Sequence, residues 1–241
     1  MSRGKRYNGE QKLNLKKVSA VVIAVIVIIL FIIGLKQIIK ADKNTVSRKE
    51  IELNYFTLFS NGNWGVINSY GEVVVEPANG EMVVIPNKEK AVFICTYEVN
   101  YVDGTYKTKA INDKNQQMFT EYENVMAIQN YDENNNLWFE ENLLKVQKDG
   151  KYGLINLDGN EVLACEYDSI NTLKGVKNSI VIKKDSQLGL VDSNGKIIVP
   201  VEYADIIAVT NEYKNGYIVE NQESKFGVIK ADGQMALECK Y

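Results

Sequence analysis

A chain of 241 residues with 45% hydrophobic and 24% charged side chains and only 3 prolines can fill one or two packed domains and is too apolar for a disordered one. It contains no histidine, which excludes serine or cysteine hydrolysis through an imidazole base, histidine-based zinc sites and imidazole pH switches. The formal net charge of -3 hides a division: beyond residue 49 there are 17 lysines, no arginine and 29 acidic residues, a balance of -12 that argues against nucleic acid as a partner.

Residues 1–17 form a basic tail with six positive side chains, followed at 18–35 by VSAVVIAVIVIILFIIGL, a run without charge. As a helix this run is about 27 Å long, close to the roughly 30 Å of a bilayer core. In lipid the helical form prevails over the strand that its valines and isoleucines favour in water, because a lone strand leaves backbone donors unpaired. A cleaved signal peptide is the rival; the run is longer than a typical apolar signal core and meets Lys36 and Gln37 with no small-residue cleavage site. The expectation is a retained single-pass anchor, with the bilayer as partner through 18–35. Residues 36–50 form a charged linker with five further positive charges. The short basic tail is expected in the cytoplasm and the rest outside it, at the cell membrane.

From 51 to 241 one pattern recurs: a bulky residue before Gly, a short apolar stretch, a Gly turn, a second apolar stretch, then often Glu-Tyr. It reads Trp64-Gly65 with turn Ser69-Tyr70-Gly71, then Tyr152-Gly153 with Leu157-Asp158-Gly159 and Tyr167. It continues as Leu188-Gly189 with Ser193-Asn194-Gly195 and Tyr203, and as Phe226-Gly227 with Ala231-Asp232-Gly233 and Tyr241. Tyr167, Tyr203 and Tyr241 each lie 14 residues after their glycine. A second, degenerate copy keeps Ala110 to Asn115 and Thr120-Glu121-Tyr122 but has lost the bulky-plus-Gly pair. The Asp-Gly and Asn-Gly turns point to type I′ hairpins, and a preceding strand (Tyr55 to Phe59, Ala91 to Tyr97, Leu143 to Gln147, Ser179 to Lys183, Gly216 to Glu220) makes each unit a three-stranded antiparallel meander. Five such units must stack to bury their faces. The predicted class is therefore all-β, tandem meanders closing as a propeller or left open as a β-solenoid, preceded by one transmembrane helix. The bulky residue is expected to pack between neighbouring meanders, with Gly admitting a close neighbour; sugar stacking is the alternative, against which Leu188 stands.

These repeats resemble the bacterial WG-repeat family, named for the Trp-Gly that stands here as Trp64-Gly65, over roughly 51 to 241. The resemblance implies an all-β repeat domain, often exported or membrane-attached, without established catalytic activity and with a binding or scaffolding role.

Several look-alikes of chemical sites fall away. Ser193-Asn194-Gly195-Lys196 fits S-x-x-K but sits in a repeat turn, without the companion motifs of penicillin-binding enzymes. Asp132 to Asn136 resembles the start of a calcium loop, yet an EF-hand needs Gly at 137 and Glu at 143, and both are Leu. Glu140-Glu141 could supply one glycosidase carboxylate but not the facing pair. The three cysteines, 95, 165 and 239, read as small apolar residues forming one bridge at most. No catalytic residue, metal or cofactor is implied. Two binding candidates remain: the recurring Glu121, Glu166 and Glu202, a ring if the units circle an axis and otherwise solvated strand ends; and Trp138 with Phe139 in the segment Asn124 to Asn142, a recognition loop or an ordinary strand with a long turn. The expected function is a tethered, non-catalytic module binding protein or an envelope polymer. The alternatives are a carboxylate-based envelope hydrolase and a single-pass ligand sensor or assembly partner.

Overall fold

A computed structural model describes residues 52–132 and 134–241. The apolar run at 18–35, its basic tail and the linker lie outside the described residues; among those described, no helix is long and apolar enough to cross a membrane. The described part is all-β, with a single short 3-10 turn at Tyr213–Asn215.

Five small antiparallel sheets follow one another along the chain. The first holds β1 (Tyr55–Ser60), β2 (Asn63–Asn68) and β3 (Val73–Asn79); the second holds β4 (Phe93–Asn100), β5 (Thr105–Ile111) and the two-residue β6 (Gln117–Met118). The third holds β7 (Asn124–Tyr131), β8 (Leu137–Lys148), β9 (Lys151–Asn156) and β10 (Glu161–Tyr167). The fourth consists of β11 (Ser169–Thr172), β12 (Ile180–Lys184), β13 (Gln187–Val191) and β14 (Ile197–Tyr203). The fifth consists of β15 (Asp205–Ala208), β16 (Tyr217–Glu220), β17 (Phe226–Ile229) and β18 (Met235–Leu237). Among the described residues there are five sheets, but the expected uniform three-stranded meander does not hold: the third to fifth sheets have four strands. The added strand, β7, β11 or β15, begins two residues after the Tyr that ends the preceding unit, at Asn124, Ser169 and Asp205. In the second sheet its place is held by one isolated bridge, Val84 to Ile94.

The hairpin turns also differ from expectation. Gly71, Gly159, Gly195 and Gly233 have φ between +81° and +93°, but the residues before them are not left-handed, as type I′ would require. Instead Gly159 N–H donates to the Asn156 carbonyl at 3.0 Å while Asn156 N–H donates to the Asn160 carbonyl at 3.0 Å. This is a three-residue loop, Leu157 to Gly159, whose left-handed last residue forms a bulge. The Asn156 side chain fixes it by accepting from the amides of Asp158 and Asn160. Asn68, Asn112, Asp192 and Asn221 do the same in their turns. So does Asp132, so the calcium-loop look-alike is a hairpin turn between β7 and β8.

The glycine of each bulky-plus-Gly pair has its own reason. An ideal Cβ on Gly153 would stand 2.6 Å from the Leu163 carbonyl oxygen and 2.9 Å from Cys165 N, both on the next strand of the same sheet. Gly189 and Gly227 face Val199 and Val201, and Leu237 and Cys239, in the same way; Gly65 faces the Val75 carbonyl and Pro77. In the first, third and fourth sheets, pairing between these two strands slips by a bulge at this point, and the bulged strand folds over the glycine. The close neighbour is thus the unit's own last strand. The degenerate second unit supplies the converse. Counting back from the turn, Lys109 occupies the glycine position; β6 ends after two residues, Phe119 turns left-handed at φ 55°, and Tyr122 comes one residue sooner after its turn than Tyr167 does. Without the glycine, the bulge and its extra residue are gone.

Four apolar clusters lie between consecutive sheets. Tyr55, Val66, Val75, Phe93 and Ile111 join the first to the second; Ile94, Ala110, Leu144, Val146 and Ile155 join the second to the third. Leu143, Leu154, Tyr167, Ile180, Ile182 and Val191 join the third to the fourth, and Leu190, Val199, Tyr203, Tyr217 and Val219 the fourth to the fifth. Each of the three internal sheets therefore contributes one face to the core before it and the other to the core after it, and the first and fifth sheets contribute one face each. All three cysteines are free.

Candidate binding groove

The strands that the sequence left unassigned build the main concavity. β7 and β11 are neighbouring first strands of the third and fourth sheets, and their side chains are bolted together across the seam. Asn130, 1% exposed, donates from Nδ2 to the carbonyls of Leu173 and Val176, each at 3.1 Å, and its Oδ1 accepts from the amides of Tyr131 and Gly175. With every polar atom of this buried amide engaged, Asn130 is a fastener of the 173–176 loop rather than a ligand-binding group. Thr172 Oγ1 donates to the Gln129 carbonyl at 2.9 Å. Lys145 Nζ crosses from β8 to the Ile170 carbonyl at 3.2 Å and lies 5.4 Å from the centre of the Tyr152 ring; burial holds its pKa below the usual 10.5. On the other side of β7, Asn124 Oδ1 accepts from the Thr108 amide, tying β7 to β5.

Two adjoining hollows lie along this seam. One, about 350 Å³, is lined by residues of β7 and β11 with Tyr106, Lys145 and Lys174. The other, about 300 Å³, runs over β4 and β5 to Glu81, Tyr101 and Phe139. They share Tyr106, Met126, Ala127 and Gln129, so together they form one groove running from the second sheet across the third to the fourth. Its rim carries the exposed rings of Tyr101, Tyr106 and Tyr131. The sole carboxylate in the lining, Glu81, accepts a hydrogen bond from Tyr101 Oη at 2.6 Å. Ring faces, the amides of Gln129 and Asn171 and two lysines suit contact with a polar chain laid along the groove; facing carboxylates for hydrolysis are not among its lining residues.

The segment Asn124 to Asn142 is two strands and a tight turn, not an extended loop, and Trp138 and Phe139 are half-buried on β8. They sit by a third hollow of about 290 Å³ with Lys177, Asn178 and Ser193. Lys177 Nζ lies 5.6 Å from the centre of the Trp138 ring. Glu140 is 4% exposed; its Oε2 accepts from Ser193 Oγ at 2.8 Å, and its Oε1 is buried without a hydrogen-bond partner. The serine of the S-x-x-K look-alike is thus occupied in holding a carboxyl. Burial pushes the Glu140 pKa above the usual 4.5, against the opposing pull of Ser193, the Asn178 amide and Lys177. A raised acid binds its proton more readily folded than unfolded, so its contribution to stability is full below 4.5 and is lost as pH rises through the folded-state value. Glu140→Gln is therefore expected to gain stability relative to the parent chain as pH is taken from 4 to 8 in urea titrations; a difference constant with pH would refute the assignment.

The remaining sequence candidates are dispersed. Glu121, Glu166 and Glu202 are exposed, and Glu166 is paired with Lys184 at 2.8 Å. Trp64, Tyr152 and Leu188 pack beside the cores that join their sheets to the next, as do Tyr167 and Tyr203. Trp64 also stacks at a tilt on Phe59, with ring centres 4.8 Å apart. Tyr122 is half-buried beside the core between the second and third sheets, whereas Phe226 and Tyr241, in the last unit, are exposed. Among the described residues no cluster of three or more Cys, Asp or Glu is arranged to hold a metal ion.

Residues 152–175 and 189–219 match the protein-family model described as WG containing repeat. The match covers less than half of the chain. The first matched segment runs from β9 through the bulged β10 into the loop after β11, and the second from Gly189 of β13 into β16. Each therefore spans a seam between sheets, including the strand the hairpin pattern had missed. No curated protein matches the chain. Among solved structures, one titled "Crystal structure of the eukaryotic initiation factor" is similar at 9% identity with a TM-score of 0.37, a similarity too distant to carry weight for the fold. It covers 77% of this chain, which spans 52% of that one.

Proposed function

We propose that this is a single-pass bacterial membrane protein whose WG-repeat domain, outside the cytoplasm, acts without catalysis as a binding module for an extended polar chain, either a protein segment or an envelope polymer. The observation that carries the binding role is the continuous groove over β5, β7 and β11, rimmed by Tyr101, Tyr106 and Tyr131 and floored by a seam locked through Asn130 and Lys145. A locked floor means the site is preformed, which lowers the ordering cost of binding. The lone, already engaged Glu81 favours holding a ligand over hydrolysing it. The membrane tether is supported by the uncharged 18-residue run and its basic tail.

A photo-crosslinking side chain placed at Gln129 in the full-length protein in intact cells is expected to capture a partner, with capture reduced at least tenfold by Tyr106→Ala. The same probe at Lys151, away from the groove, is expected to capture none. Equal capture from both positions would reject the groove as the site. Protease added to spheroplasts is expected to digest the repeat domain; full protection would reverse the topology.

A further inference from the structure

The two ends of the sheet succession expose the faces that every internal sheet buries. In the fourth sheet, Leu190 and Val199 are 0% exposed and Tyr203 4%, because the fifth sheet covers them. Their equivalents in the fifth sheet, placed by identical pairing to the repeat glycine, are Val228, Leu237 and Tyr241. Val228 is half-buried, but Leu237 and Tyr241 are 43% and 75% exposed, and Phe226, in the place of Leu188, is exposed beside them. The first sheet shows the opposite face. Phe56 opposes Ile67 as Leu144 opposes Ile155, Ile180 opposes Val191 and Tyr217 opposes Ile229. Leu144, Ile180 and Tyr217 are fully buried by the preceding sheet, whereas Phe56 is 49% exposed. Among the described residues no apolar cluster joins the fifth sheet to the first.

We propose that the fifth-sheet face of one molecule docks on the first-sheet face of a second copy, continuing the stack from chain to chain. The occupant follows from the fold itself. Four times within the chain a face of the Leu237–Tyr241 type is covered by a face of the Phe56 type, so the surface that fits each free end is the free end of another copy. The contact is heterologous, and it leaves one face of each kind free at the ends of any assembly. Exposed apolar patches of this kind mark association sites.

The test uses the full chain in detergent or nanodiscs, analysed by sedimentation over a hundredfold range of concentration. The parent protein is expected to form a concentration-dependent series extending past the dimer. Phe56→Glu and Leu237→Glu, both at exposed positions and both checked for retained β-structure by circular dichroism, are each expected to weaken association at least tenfold. An equimolar mixture of the two variants is expected to form dimers and nothing larger, because only one competent face of each kind remains. Tyr241→Glu serves as a second fifth-face variant. A monomer at every concentration would overturn the proposal, as it would if residues 1–51 or another protein covered an end face. Oligomers indifferent to both substitutions, or sensitive to only one face as in a face-to-face pair, would overturn it equally.

Discussion

Gly153→Ala is expected to lower the unfolding free energy by about 3 kcal/mol, a large effect for a single added methyl group. The new Cβ would meet the Leu163 carbonyl oxygen at 2.6 Å and Cys165 N and Sγ at 2.9 Å. Two of those atoms are backbone in a bulged strand with cores on either side, so relief requires unpicking β10 from β9. Gly62→Ala separates this cause from the general cost of losing a glycine. Gly62 has φ +80° and open space around its Cβ direction, so that substitution carries only the left-handed strain, about 1 kcal/mol. Urea unfolding followed by circular dichroism compares the two; a cost at Gly153 no greater than at Gly62 would mean that the bulge does not depend on the glycine.

The second large effect belongs to Leu144. Its side chain is fully buried in the cluster between the second and third sheets, and truncation to alanine removes three carbons from a seam held mainly by Ile94, Ala110, Val146 and Ile155. The expected loss is about 3 kcal/mol, against less than about 0.5 kcal/mol for Val102→Ala at an exposed turn. Since each core joins only neighbouring sheets, weakening one seam should also loosen the coupling between the first two sheets and the last three. Leu144→Ala should therefore broaden the urea transition and lower its apparent m-value. A transition that shifts without broadening would show that the five sheets unfold as one.

The units most legible in the sequence were those with a glycine pair and a turn, because both leave fixed marks: Gly153 and Gly189 mark where a strand folds over, and Asn156 and Asp192 mark where an amide-accepting side chain closes a turn. What was hidden is equally physical. β11 is only Ser169–Thr172, with Ile170 alone buried, and β15 buries only Ile206, so neither displays the repeated alternation by which a strand announces itself. Their pairing is dictated by the neighbouring β12 and β16 after the stack forms. The groove was hidden in part for the same reason, since β11 lines one end of it. One signal was available: the Glu-Tyr that ends a unit is followed directly by Glu123-Asn124-Val125, Asp168-Ser169-Ile170 and Ala204-Asp205-Ile206, a recurrence of its own. The aspartate or asparagine turns resembled type I′ hairpins because dipeptides alone do not tell which residue is left-handed; the side-chain acceptor three residues before the glycine does.

Placing the cores between sheets rather than within them makes the unit interchangeable. A duplication that inserts one further unit breaks one seam and makes two of the same kind, so the molecule can lengthen without redesigning any interior. The groove need not lengthen with it, because β15, the first strand of the fifth sheet, already lies outside its lining.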